Sequence, residues 1–255
     1  MKFLRGFYMA MGMFLGIPLP FHIWDESLTT IMVATLPLVG LVVGGIWFGA
    51  ATILLLPTFP IMIVAAILAV VPFWVAGFIH LDGYMDTSDA ILSWRPLADK
   101  LRILKDPHVG AFAVVMLVIL FLLHFAAVYA VVDGGRYLAL LVGIPVVSRS
   151  CSAFAIFTMK HMDISHYLPL LKNGNHTMLR GFVMAMVVLV GVLSYVYAGF
   201  TGLLVLLAVI CGYGFAIRRA AKRLQGISGD LLGYGLVIGE LCGLIALALL
   251  QGVNI

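Results

Sequence analysis

The sequence predicts an all-α, polytopic integral membrane bundle of about seven transmembrane helices, with its polar loops on the cytoplasmic face. Three observations predict it. Hydrophobic residues make up 64% of the 255-residue chain and charged ones 10%, and the mean hydropathy of +1.17 lies well outside the usual composition of soluble domains. Seven uncharged or nearly uncharged windows approach the about 20 apolar residues that a helix needs to cross a hydrocarbon core about 30 Å thick. Thirteen of the 15 lysines and arginines fall on one side when these windows are threaded with the N-terminus inside, as expected where cytoplasmic loops carry the excess of positive charge.

Residues 1–30 open with "MKFLRGFYMAMGMFLGIPLP", a basic start and a short apolar run without a small-residue cleavage site, interrupted by Pro18 and Pro20. They read as an uncleaved interfacial or re-entrant segment, and 31–255 as the helix bundle of a single membrane domain. The first two windows, 31–54 and 61–79, are separated by "LPTFP", whose Pro57 and Pro60 favour a turn. Windows 111–132 and 137–158 follow, with Arg136 as the outer basic residue between them. The stretch 181–217 is long enough for two spans, 181–199 and 200–217, with "AGFTG" as the break, and 231–250 is the last window. Inner connections, 80–110, 159–180 and 218–230, are long, whereas outer ones are a few residues each.

This topology accounts for the net charge of +4 and gives no indication of nucleic-acid binding. Cys151, Cys211 and Cys242 are isolated, so they read as small apolar residues of the bundle and not as a disulfide framework or zinc site. Glycines such as Gly40, Gly44 and Gly45 permit close helix packing, either inside the bundle or in a homo-oligomer.

The inner segment "HLDGYMDTSDA", 80–90, carries the densest chemistry. On a helix, Asp82, Asp86 and Asp89 stand at i, i+4 and i+7, within about 60° of arc. Like charges so spaced repel one another unless a cation sits among them. All-oxygen donors suit magnesium, manganese or calcium, and magnesium is commonly shared with substrate phosphates, so the pattern points to phosphate chemistry. The plainer reading is a solvated acidic cap at the end of a span. Gly83 would let a ligand or another helix approach the backbone, and His80 lies either near the site, off the helix end, or packed elsewhere.

Two further inner segments favour a site. "KDPHVGAF", 105–112, sets Lys105, Asp106 and His108 before a helix start at Gly110, where free amides can hold an anion. "QGISGDLLG", 225–233, is a glycine-rich turn with Gly226, Ser228 and Asp230, able to cradle phosphate or simply to cap a helix. Within spans, Arg149 and Glu240 lie at similar depth, about 16 Å from Lys160 and about 15 Å from Asp230 along their helices, and are expected to pair. Such a pair either pins the helices or serves a substrate contact. His124, alone in a span, reads as a packing residue with a hydrogen bond to a neighbour. His161, Asp163, His166 and His176 lack ligand spacing, and the Arg218–Arg223 cluster reads as a positive-inside anchor.

The run of "IPLP", "LPLVGLVVG", "GFIHLDGYMDTSDA", "LRILKDPHVGAF", "VVSRS" and "LQGISGDLLGYGLVIGEL", in that order over most of the chain, resembles the adenosylcobinamide-GDP ribazoletransferase (cobalamin synthase) family. Departures from its pattern are Ala90 in place of Gly, Pro107-His108 in place of Ser-Arg, and Ser228 in place of Thr. The resemblance implies transfer of the cobinamide phosphate of adenosylcobinamide-GDP to α-ribazole or its 5′-phosphate, with release of GMP. This is a step of vitamin B12 nucleotide-loop assembly, carried out at the inner membrane with magnesium. It implies Asp82, Asp86 and Asp89 as metal ligands, with Asp82, Asp86, His80 or Asp106 as the base. Lys105, His108, Arg149, Gly226, Ser228 and Asp230 are then the substrate-binding residues. A CDP-alcohol phosphotransferase is the alternative enzyme, poorly matched because no arginine follows Asp82-Gly83 until Arg95. A secondary transporter is the alternative outside enzymes, disfavoured by acids gathered at one face and by the absence of a repeat.

Overall fold

The computed structural model describes residues 1–56, 58–162 and 176–252 of the chain. Its helices are α1 (Lys2–Phe14), α2 (Thr29–Ala34), α3 (Leu36–Leu54), α4 (Ile61–Val75), α5 (Ile79–Leu92), α6 (Leu97–Ile103), α7 (Ala111–Gly134), α8 (Leu140–Thr158), α9 (Thr177–Leu224) and α10 (Gly229–Leu250), with a 3₁₀ turn at Glu26–Leu28 before α2. No strand occurs among the described residues; a lone bridge joins His161 and Ile227.

Five helices, α3, α7, α8, α9 and α10, are long and apolar enough to cross a membrane, and α4 with α5 passes the same test as a pair bent by 90°. The bend has a local cause: Gly77 and Phe78 both take left-handed backbone, with φ of +62° and +59°. Only glycine visits that region freely. Helix α9, 48 residues long, is broken at Gly199 by a φ of 58° and ψ of −143°. A Cβ on Gly202 would collide with the Ser194 carbonyl, and one on Gly143 would meet Val190, Ser194 and Leu206 together. Residues eight apart in a straight helix stand about 12 Å apart, so α9 doubles back into two antiparallel arms. The break lies inside the expected "AGFTG". The windows at 61–79 and 181–217 thus map onto α4 and the two arms.

Antiparallel packing orders the bundle. Gly40 and Gly44 of α3 admit the α8 backbone so closely that an added Cβ would stand 2.7 Å from Val146 Cα and 2.7 Å from Val142 Cα. Both glycines therefore serve a contact inside the chain; Gly45 faces open space. His124 of α7 stacks on Trp47 of α3 and tilts onto Phe73 of α4. It is buried as a packing residue, but its Nδ1 has no hydrogen-bond partner among the described residues, contrary to the sequence expectation.

Helix α5 lies outside the spans, at the end of the bundle where α7 and α10 begin. The Tyr84 hydroxyl donates to the Met116 carbonyl at 3.2 Å, Tyr84 stacks on Tyr234, and Gly83 packs on the Asp230 backbone. The N-terminal segment folds over the same end. Helix α1 buries Gly6, Met9, Ala10 and Phe14, Gly16 N–H donates to the Val75 carbonyl at 2.8 Å, and Tyr8 both donates to and accepts from the Phe21 backbone.

Candidate active site at the polar end of the bundle

One open cavity of about 860 Å³ occupies this end, and its wall includes His80, Asp82, Lys105, Arg149, Ser228 and Asp230. Four separate stretches of chain supply these six residues. The volume falls within the about 300–1,000 Å³ usual for small-ligand sites. Helix α5 brings His80 and Asp82, the turn after α6 brings Lys105, α8 brings Arg149, and the first turn of α10 brings Ser228 and Asp230. The α5–α10 contact is possible because position 83 has no side chain: a Cβ there would stand 2.7 Å from Asp230 Cα and 2.8 Å from its carbonyl oxygen.

Asp86 sits one turn along α5 from Asp82, half-buried. Burial, and then the negative fields of Asp82, Asp230 and Asp89, push its carboxyl up to about 6. Asp230 thus joins the acidic group from a different helix. Asp89 is placed differently, its carboxylate lying against Gly110, the N-cap of α7. A negative charge there is favoured by the unpaired amides of the helix start. His80 has a buried Nε2 without a hydrogen-bond partner. Burial, and then the Arg149 charge, lower its pKa to about 3, so the ring is neutral.

Arg149 and Glu240 pair as expected: NH1 of Arg149 donates to Glu240 Oε1 at 2.6 Å, and the same oxygen accepts from Ser148 Oγ at 2.7 Å. Both partners are almost completely buried. Ser228 caps α10 and its hydroxyl donates to Asp230 at 3.3 Å.

Five sequence-selected positions are not part of the cavity wall: Asp86 and Asp89 of α5, and Asp106, His108 and Gly226. Asp106 and His108 form an exposed pair with each other at 2.7 Å, and the His108 backbone and ring hold the Asp106 carboxyl below the usual carboxylate range. Gly226 packs on His161 and Met162, where a Cβ would stand 2.8 Å from Met162 N. Its smallness serves the bridge between the end of α8 and the start of α10. His161 Nε2 donates to the Ile156 carbonyl at 2.8 Å, and His176 stacks on Phe157. Asp163, His166 and Lys172 lie outside the described residues.

The structure adds wall residues that the sequence did not single out. Met13, Phe14, Trp24 and Glu26 of the N-terminal segment line the cavity. The amphipathic spacing of α1 was the available signal; nothing in the sequence placed it over α5.

Among the described residues, no three His, Cys, Asp or Glu side chains converge closely enough to hold a metal by themselves. The donors nevertheless fit a hard cation of the magnesium type, which needs only one or two carboxylates and completes its shell with water and substrate phosphate. Asp82 and Asp230 line one cavity, and Asp86 stands one turn from Asp82, its carboxyl raised by burial and then by the neighbouring carboxylates.

The cobalamin-5-phosphate synthase model matches residues 6–248. Adenosylcobinamide-GDP ribazoletransferase of Clostridium botulinum is 34% identical over 96% of this chain and 97% of its own length. The enzyme of the same name from Clostridium perfringens is 34% identical over 97% and 99%, and that of Lachnoclostridium phytofermentans 31% identical over 100% and 97%. No solved structure matches the chain. With an all-helical membrane bundle, a polar cavity at one end and a match over nearly its whole length, the chain belongs to the cobalamin-5-phosphate synthase family.

Proposed function

We propose that the cavity transfers the cobinamide phosphate of adenosylcobinamide-GDP to the ribose hydroxyl of α-ribazole or its 5′-phosphate. The observation that carries this reading is the convergence of Asp82, Asp230, Lys105 and Arg149 on one cavity in a chain of this family. The acceptor oxygen bonds to the phosphorus next to cobinamide, the bond from that phosphorus to the bridging oxygen breaks, and GMP leaves. The hydroxyl proton goes to a carboxylate.

Magnesium, held by Asp82 and Asp230 together with substrate phosphates, would neutralise charge on the transferring and leaving groups. Asp86 is the best-matched base, because a carboxyl near 6 works closer to neutral pH than a histidine near 3. Asp106, exposed and paired to His108, is the weaker candidate. Lys105 and Arg149 balance phosphate charge from the other walls, and the Ser228 turn holds phosphate at the start of α10. The cavity faces the cytoplasm of the inner membrane, where nucleotide substrates are made and where the lysines and arginines gather. Gly45 and other open small residues leave room for a homo-oligomer contact in the bilayer.

The test is incubation of the liposome-embedded protein with adenosylcobinamide-GDP and each acceptor, with and without magnesium, with mass detection of the joined cobamide and GMP. Both products are expected only with magnesium. Asp82→Asn is expected to lower turnover by at least about a hundredfold while leaving the protein in the membrane. Release of CMP from CDP-alcohols, or vesicle uptake without conversion, would replace this reading by a phosphotransferase of the other class or a transporter.

A further inference from the structure

The buried pair at Arg149 is bound on one side only. Its NH1 donates to Glu240 Oε1 at 2.6 Å and to the Pro145 carbonyl at 3.4 Å. Its Nε is buried without a partner, although a guanidinium carries five N–H donors in a rigid fork. Arg149 is 2% exposed, yet it forms part of the cavity wall. Glu240 is absent from that wall and meets Arg149 and His80 at a separate small gap of about 10 Å³, behind the cavity. His80 also reaches the cavity wall and also has a buried, unpartnered nitrogen, Nε2. Two donor-bearing side chains therefore line the cavity, each with a buried nitrogen left unpartnered just beneath its wall, and a carboxylate holds one of them from behind.

We propose that Glu240 is a positioning residue that holds the Arg149 guanidinium by one nitrogen, so that its remaining donors and His80 Nε2 form a phosphate subsite on the cavity wall. This rests on the phosphoryl-transfer reading above and adds to it a residue that touches no substrate. The physical logic is that a bidentate fork discriminates phosphate geometry only if its plane is fixed before binding. Glu240, itself fixed by Ser148 Oγ at 2.7 Å, fixes that plane. A purely structural pair, replaced by apolar residues of similar volume, would leave stability unchanged or improved and turnover intact.

The experiment uses the full chain in liposomes, with wild type, Glu240→Gln, Glu240→Ala, Arg149→Lys and the double variant R149M/E240L. Thermal unfolding, kcat and KM for adenosylcobinamide-GDP, and binding of inorganic pyrophosphate are measured in each. Glu240→Gln, which keeps the hydrogen bond, is expected within about tenfold of wild type in kcat/KM, and Glu240→Ala and Arg149→Lys down by about a hundredfold. The double variant is expected to unfold at or above the wild-type temperature and to have lost both turnover and pyrophosphate binding. A folded double variant with wild-type turnover, or Glu240→Ala with unchanged kinetics, overturns the proposal. If wild type itself turns over no adenosylcobinamide-GDP, the transfer reading fails separately. Pyrophosphate binding then decides the subsite, and equal binding by wild type and the double variant, or none by wild type, overturns it.

Discussion

Asp86 shows how one side chain can report on its whole surround. Half-buried and facing Asp82, Asp230 and Asp89, its carboxyl is raised from the ordinary 3.8 to about 6. The native state therefore holds a proton that the unfolded chain has released, and this stabilisation is complete below about pH 4 and lost as pH rises through about 6. Metal-free protein is expected to lose thermal stability over that window, and Asp86→Asn to flatten the slope. Magnesium beside the carboxylates favours the ionised form, so saturating magnesium should move the carboxyl band of Asp86, read by infrared difference against Asp86→Asn, to lower pH. A band midpoint near 3.8 without metal would mean that the four acids do not share one field. The sequence made Asp82 and Asp86 legible through helical spacing, since i and i+4 must share a face. It could not place Asp106 and His108 relative to the cavity, because "KDPH" reads equally well as an anion site or as a surface turn until neighbouring segments are placed. Asp230 entered as a turn residue; its closeness to Asp86 depends on a contact between α5 and α10 that no local pattern encodes.

Helix α5 becomes a site only through its two neighbours, and Gly83 is where that dependence can be cut. A methyl group there would meet the Asp230 backbone at 2.7 and 2.8 Å, and backbone, unlike a long side chain, cannot swing aside. Gly83→Ala is expected to lower stability by about 1–3 kcal/mol and to reduce turnover sharply by moving Asp82 away from Asp230. Gly181→Ala, with nothing within 4 Å of its added carbon, serves as control and should be neutral or slightly stabilising, since alanine is the better helix former. Similar loss in both variants, read by thermal unfolding, would rule out the contact as the cause. The spans themselves were legible from apolar length and charge, down to a break within "AGFTG". The 90° turn before α5 was not, because a left-handed pair at Gly77 and Phe78 leaves hydropathy unchanged. The docking of α1 over the cavity escaped for a related reason: amphipathicity identifies a face without naming what covers it.

At the scale of the whole molecule, crossings and charge have to agree. Counting α3, α4, α7, α8, the two arms of α9, and α10, seven segments are candidates to cross, and an odd number of crossings would set the start of α3 and the end of α10 on opposite sides. Interhelical contacts support one common polar end: Gly110 meets Asp89, Gly83 meets Asp230, and the Arg180 guanidinium donates to the Phe157 carbonyl at 2.8 Å. The other end is tied by Arg136 to the Gln251 carbonyl at 3.2 Å, and by Tyr137 against Tyr197. If positive charge orients the bundle, Lys105 lies on the cytoplasmic side and Arg136 outside. Single cysteines at these two positions, in a variant lacking Cys151, Cys211 and Cys242, should then label from opposite faces with a membrane-impermeant thiol reagent, 136 in intact spheroplasts and 105 only in inverted vesicles. Labelling of both from one face would mean that α7, the helix between them, does not cross. Reversed labelling would keep the fold but put the acidic cavity outside, away from cytoplasmic nucleotides, and the transfer reading could not stand in that orientation.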